Sequence, residues 1–160
     1  MFIFSAMVDS APGKTVETPG TALARGVARH LRARGFVSLA EVTLPGGVRA
    51  DLMALGPDGE IWIVECKSCR ADFRADRKWP GYVDWADRFF FAVPPAFPCE
   101  ILPEDFGLLH ADGYGAEVVR MPAARKLAPA RRKALTLRFA RLGAARLQAV
   151  TDPGAAAIFD

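Results

Sequence analysis

The sequence holds no apolar run approaching the roughly 18 residues that a membrane-spanning helix needs, so no membrane role is expected. Its opening, MFIFSAMVDSAPGKTVETPG, places no basic residue before the short apolar patch, unlike a secretory signal peptide. Residues 1–18 are read instead as a flexible N-terminal tail, and residues 151–160 as a C-terminal one. Cysteine is scarce: three in 160 residues, an odd number without an export signal. That argues against a disulfide framework and for a reducing, cytoplasmic setting. No internal repeat, low-complexity tract, DNA-reading helix or zinc finger is recognisable, so sequence-specific DNA binding is not expected.

Acid is missing from one long segment. From Arg120 to Arg146 there are nine basic residues and no carboxylate, whereas residues 1–119 set twelve basic residues against sixteen acidic ones. The formal charge of +3 conceals this polarity, which suits a polyanionic partner. Arg131, Arg132, Lys133, Arg138 and Arg141 are the candidate phosphate contacts. Contacts of that kind position a duplex without reading its sequence.

The remainder has the composition of an ordinary globular protein, 51% hydrophobic and 24% charged, with length for one domain over residues 19–150. Thr18 or Thr21 can cap a helix running to about Arg34, with Gly35 as its stop and Leu23, Val27 and Leu31 as its buried stripe. VSLAEVTL, RADLMAL and IWIVECK (37–44, 49–55, 61–67) read as three strands joined by short turns, an antiparallel meander. Asp72 to about Trp85 is expected to be helical, with an interruption near Trp79-Pro80. FFFAV (89–93) reads as a central strand, GLLHA and AEVVRM as a second hairpin, and Pro129 opens a last helix to about Val150. The order α-β-β-β-α-β, then a hairpin and a helix, implies an α/β sheet with helices packed on it.

Two chemistries overlap in IVECKSCR. Cys66-Lys67-Ser68-Cys69 has the spacing of a redox pair or half a zinc site; Glu65-Cys66-Lys67 is a carboxylate and an ammonium two residues apart. Along a strand, Glu65 and Lys67 share a face with Ile61 and Ile63, while Cys66 points the other way with Trp62 and Val64. A buried cysteine among apolar neighbours behaves as a small hydrophobe. If the preceding hairpin has a five-residue loop, Gly56–Glu60, then Asp51 faces Glu65, and Asp51, Glu65 and Lys67 form one cluster. A two-residue turn at Asp58-Gly59 would instead oppose Asp51 to Cys66. Two carboxylates that close repel unless a cation lies between them, and Mg²⁺ or Mn²⁺ takes such oxygen ligands. The carbonyl of Cys66 is a further candidate ligand, and Lys67 would stabilise charge on water or a phosphate oxygen. The competing zinc set is Cys66, Cys69, Cys99 and His110, of which one pair alone has finger-like spacing.

With these residues in place, the stretch from Thr21 to Leu147, and Glu65 to Tyr82 above all, resembles the MmcB-like DNA repair family of the PD-(D/E)xK nuclease superfamily. The resemblance implies a restriction-endonuclease-like core, a metal-dependent endonuclease-like role in DNA repair with a nucleoid location, and Asp51, Glu65 and Lys67 as the metal and phosphate site. It brings DNA and other repair proteins as partners and admits a homodimer, for which the sequence shows no seam. Two features depart from the superfamily pattern. Thr21–Arg34 carries Arg25, Arg29, His30, Arg32 and Arg34 but no acid, and Glu17 is a poor substitute. Lys78 stands where relatives place the glutamine of Gln-x-x-x-Tyr, with Tyr82 in register. Those departures leave open a non-catalytic DNA-binding accessory with the same fold. Lys78 and Tyr82 are expected near DNA, and Asp72 behind the metal ligands. Asp76 is read as a helix-surface charge paired with Arg74 and Arg77, and Trp79 and Trp85 as core.

Overall fold

The computed structural model describes residues 17–154. Most of the expected N-terminal tail, and residues 155–160 of the C-terminal one, lie outside the described residues.

The first helix, α1 (Pro19–Arg32), starts where its capping chemistry dictates. The Thr18 hydroxyl accepts the Thr21 N–H at 3.2 Å while the Thr21 hydroxyl accepts the Thr18 N–H at 2.9 Å, satisfying donors left over by the first turn. Leu23, Val27 and Leu31 form the buried stripe. The chain then reverses through Gly35, whose φ of +81° suits a residue without Cβ.

Strands β1 (Val37–Thr43), β2 (Arg49–Leu55) and β3 (Ile61–Cys66) form the antiparallel meander. Leu55 pairs with Ile61 and Leu52 with Val64, and the Gly56 N–H closes on the Glu60 carbonyl at 2.8 Å. The hairpin therefore has the five-residue loop, and the two-residue alternative is ruled out. Strands β4 (Arg88–Val93), β5 (Gly107–Ala111) and β6 (Ala116–Arg120) complete a six-stranded mixed sheet in sequential order. The β3–β4 and β4–β5 pairs are parallel and the other three antiparallel. With β3 and β5 on either side of it, β4 is central, as its unbroken apolar run requires.

Alternation sorts the side chains into two cores. On one face α1 covers Leu52, Ala54, Trp62, Val64, Phe90, Ala92 and Leu109. On the other, Met53, Ile61, Ile63, Phe89 and Phe91 meet Tyr82, Val83, Leu127 and Leu135 of the chain that wraps beneath. The last helix, α3 (Pro129–Thr151), lies on this second face. The architecture is α/β, with helices on both faces of a mostly antiparallel sheet.

The β3–β4 connection differs from the expected helix. It contains a six-residue helix, α2 (Arg70–Ala75), an extended Asp76, and a 3₁₀ segment over Trp79–Trp85. Helical periodicity continues through Asp76 in the sequence, but the Asp76 backbone is extended, with φ −80° and ψ 117°. Asp76 also spends its side chain on the Lys78 N–H, at 2.7 Å, and on a lysine outside the helix. Trp79 lies in the core, with its ring 5.2–6.1 Å from those of Phe89, Phe91 and Phe106.

The start of α3 is fixed by one buried acid. Asp87 accepts the Ile61 N–H at 2.8 Å, the Leu127 N–H at 3.1 Å and both ends of the Arg132 guanidinium at 2.7 and 2.8 Å. Burial would raise the Asp87 carboxyl, but the Arg132 fork and the two amides hold it below its ordinary value.

Candidate functional site

The register that pairs Leu55 with Ile61 brings Asp51 opposite Glu65 at one end of the sheet, and the side chains exchange bonds with the backbone. Glu65 Oε1 accepts the Asp51 N–H at 3.2 Å, and Asp51 Oδ2 accepts the Cys66 N–H at 2.8 Å. Lys67 Nζ lies 3.4 Å from Glu65 Oε2 and 2.5 Å from Asp76 Oδ2. Asp51, Glu65 and Lys67, brought together by strand alternation alone, are one cluster. Asp76 belongs to it as well, and the expectation that it pairs on a helix surface is corrected. The break in the helix turns its carboxylate back toward the sheet. No local signal in the sequence marks this break, since Pro80 lies five residues beyond Ala75 and inside the 3₁₀ segment.

Burial governs the charge here. Glu65 is 2% exposed, Lys67 5%, and Asp51 half-buried. Burial, followed by the charge of Asp51, pushes the Glu65 carboxyl up to about 8, against the pull of Lys67. Asp51 is raised too, by burial first, with the Cys66 amide and Lys67 opposing. Burial would lower Lys67, but its bond to Asp76 and the charges of Glu65, Asp76 and Asp51 outweigh it and keep the ammonium charged. Asp76 ends below its ordinary value because Lys67 and the Lys78 amide override its own burial.

The cluster opens on a cleft of about 690 Å³ between the N-terminal turn of α1 and the ends of β1, β2 and β3. Asp51, Cys66, Lys67, Ser68 and Asp72 line one side, and Thr18, Thr21 and Arg25 the other. Glu65 does not line the cleft and touches its lining through the Asp51 N–H and the Lys67 ammonium. Asp72 spends Oδ2 on the Ser68 N–H at 3.0 Å and the Ser68 hydroxyl at 3.3 Å, and it reaches Asp51 through its charge alone. Glu41, which sequence reasoning passed over, stands across β1 from Asp51 with φ +50° and also lines the cleft. Its carbonyl and that of Ala40 accept from Arg146 of α3 at 3.1 and 2.6 Å.

No three His, Cys, Asp or Glu side chains gather around an ion-sized space among the described residues. Asp51 and Glu65 form a pair. A pair is nonetheless the donor set of a hard divalent ion that keeps waters and shares the substrate's oxygens. Burial raises both carboxyls, with the charge of Asp51 adding to it at Glu65, so a cation placed beside them would favour their charged forms. The chemistry of these donors fits Mg²⁺ or Mn²⁺.

Several expected contacts lie elsewhere. Tyr82 is 3% exposed and donates its hydroxyl to the Arg49 carbonyl at 2.8 Å. It supports the β2 end of the site from within the core, and its role as a DNA contact is corrected. Lys78 is exposed at the start of the 3₁₀ segment. Arg131 donates to the Asp84 carbonyl at 2.8 Å, with its guanidinium 5.0 Å from the centre of the half-buried Trp85 ring. Arg132 is consumed by Asp87 and by the Gly59 carbonyl at 2.5 Å. These two arginines fasten α3 down, Arg132 through a buried acid and Arg131 from an exposed position. Lys133, Arg138 and Arg141 are exposed farther along the helix.

The cysteine alternatives dissolve in the same geometry. Cys66 is buried in the α1 core, and burial, with the charges of Asp51 and Glu65, pushes its thiol well up. Cys69 is exposed, so the C-x-x-C pair is split between core and surface. Cys99 Sγ lies 3.5 Å from His110 Nε2, and Cys66 takes no part in that contact.

The model of the family described as MmcB-like, DNA repair protein MmcB-like, matches residues 9–154. The chain is similar to the solved structure of the SPO1766 protein of unknown function from Silicibacter pomeroyi. The two are 58% identical with a TM-score of 0.87, over 91% of this chain and 100% of that one. No curated protein matches.

Proposed function

Because the chain belongs to the MmcB-like DNA repair protein family, we propose that it acts on DNA as a metal-dependent endonuclease-like protein built on a restriction-endonuclease-like core. The observation that carries the reading is the meeting of Asp51, Glu65 and Lys67 in one cluster, with Asp51 and Lys67 lining the cleft and Lys67 Nζ 3.4 Å from the buried Glu65. Asp51 and Glu65 would hold Mg²⁺ or Mn²⁺, with the Cys66 carbonyl as a further ligand. The ion, when bound, polarises a phosphate oxygen and lowers the pKa of water. The chain's own part is electrostatic. Lys67 keeps a full positive charge in a buried position, where a donor is worth more than in water, and lines the cleft from which a phosphate would be approached. Lys78, Lys133, Arg138 and Arg141 remain the outlying phosphate contacts.

Two observations favour the second reading, a DNA-binding repair accessory without catalysis. Lys67 gives its shortest bond to Asp76, and α1 brings no acid to the cleft, since Glu17 pairs with Arg25.

The test incubates the purified protein with plasmid, single-stranded, flap and junction DNA in Mg²⁺ or Mn²⁺, beside Asp51→Ala and Lys67→Ala. Cutting abolished by both, with DNA still bound, is the expected result. No cutting on any substrate, with salt-sensitive binding retained, would move the assignment to the accessory.

A further inference from the structure

A second surface adjoins the cleft, on α1 and the turn between β5 and β6. Gly26 is a notch in α1: a Cβ there would lie 1.9 Å from the Asp112 carbonyl oxygen and 2.6 Å from that of Gly115. The turn is seated in this notch and tied down twice. Arg25 Nε donates to the Gly113 carbonyl at 2.8 Å and Arg29 reaches the same oxygen at 3.5 Å. Within the turn, Asp112 Oδ1 accepts the N–H groups of Tyr114 and Gly115 at 2.7 and 2.9 Å. From this braced turn stands Tyr114, 80% exposed, more than any other large apolar side chain among the described residues.

Arg25, Arg29 and Arg32 recur at spacings of four and three, so they share one face of α1 over roughly 10 Å. All three are exposed, as is Arg34 just past the helix end. The helix macrodipole favours bases in the last turn, which accounts for Arg29 and Arg32. It does not account for Arg25, which lines the cleft, or for the absence of any acid from the helix.

Resting on the reading of this chain as a DNA-acting protein, we infer that α1 and the β5–β6 turn form a preorganised binding surface for single-stranded DNA leading out of the cleft. Arg29, Arg32 and Arg34 take phosphates, and Tyr114 stacks on an unpaired base. A strand with unpaired bases is the occupant because a duplex keeps its π-faces stacked inside. An exposed tyrosine held by its own backbone loses little freedom on stacking. This surface is on the opposite face of the sheet from α3, whose first arginines are engaged in holding the fold together.

The experiment is fluorescence anisotropy with a labelled single strand and a duplex of equal length, in EDTA, across a salt series. Tyr114→Ala is expected to weaken single-strand binding about tenfold and leave duplex binding unchanged, with Tyr114→Phe restoring it. Replacing Arg29, Arg32 and Arg34 together by alanine is expected to flatten the log–log salt slope for the single strand by about 2, at about 0.7 per phosphate contact. Circular dichroism melts confirm that each variant is folded, and Arg29→Lys keeps the charge if the triple variant is not. Single-strand affinity unmoved by Tyr114→Ala, a salt slope unmoved by the arginine changes, or no DNA binding at all would each overturn the inference. Because no divalent ion is present, binding of this kind without cutting in Mg²⁺ or Mn²⁺ sinks the nuclease reading alone. Cutting with the surface variants behaving as wild type sinks this inference alone.

Discussion

The Lys67 ammonium lies 2.5 Å from Asp76 Oδ2, closer than to Glu65, its neighbour on the same strand face, at 3.4 Å. Asp76 reaches it because the chain leaves the helix one residue earlier, at Ala75. The pair connects the strand that carries the site to the crossover that leads to β4.

Removing the acid should therefore be felt first as instability. Asp76→Ala leaves a buried ammonium with Glu65 alone, and a loss of about 2–3 kcal/mol is expected in urea unfolding, somewhat below the usual cost of orphaning a buried charge. Asp76 is held below its ordinary 3.8 and Lys67 above its ordinary 10.5. The pair's contribution is whole between those values. It is lost as pH falls through the depressed pKa of Asp76 or rises through the elevated pKa of Lys67. An unchanged unfolding midpoint in the variant would show the bond to be dispensable.

Glu65 acts with the opposite sign. Its carboxyl ordinarily titrates at 4.5 and is pushed up to about 8, so between those values the folded state binds more protons than the unfolded one. Stability should fall as pH rises across that window, and Glu65→Gln should flatten the fall. On the metal-dependent reading proposed above, a divalent ion held by Asp51 and Glu65 would favour their charged forms. Mn²⁺ is therefore expected to raise the melting temperature more at pH 8 than at pH 5, in wild type and not in Asp51→Ala. Equal shifts at both pH values, or in both proteins, would count against that site.

Arg132 and Asp87 should matter to the fold and not to DNA. Asp87→Ala strands a guanidinium and the Ile61 and Leu127 N–H groups, and a cost of about 3–5 kcal/mol is expected from chemical denaturation. Arg132→Ala should lower the melting temperature without flattening the salt dependence of DNA binding. A flattened salt slope at unchanged stability would return Arg132 to the phosphate contacts.

The three thiols should react in an order set by exposure. Cys69 is exposed, Cys99 half-buried and Cys66 buried with its thiol pushed well up. An aromatic disulfide reagent is expected to modify Cys69 at once, Cys99 slowly, and Cys66 only in denaturant. Rapid modification of Cys66 in the native protein would reopen the redox reading.

The carboxylate pair was legible because strand alternation is strict and a five-residue loop fixes one register: Leu55 opposite Ile61 brings Asp51 opposite Glu65. Cys66 was legible for the same reason, on the other face with Trp62 and Val64. What the sequence concealed are contacts made across long separations. Arg132 reads as a solvent-facing base of a basic helix until Asp87, 45 residues earlier, is found beneath it. Tyr82 has the spacing of a cleft residue, yet its ring completes the core beside Phe89, with centroids 6.3 Å apart. Asp76 follows helical periodicity, and its side chain is instead drawn to Lys67, nine residues before it. The left-handed backbone of Glu41 has no local signal, since glycine rather than glutamate marks such positions.

Arg146 does more than brace Glu41. Strand β1 is one of the two edges of the sheet, and a row of unsatisfied carbonyls there would template pairing with another chain. The guanidinium occupies two of those carbonyls, Ala40 and Glu41, so the far turns of α3 stand guard over the edge. Resistance to aggregation is thus assigned to the end of a helix that adds little to the core at that point. A chain cut short before Arg146 would keep the residues of its two cores and leave the Ala40 and Glu41 carbonyls of that edge without their guanidinium.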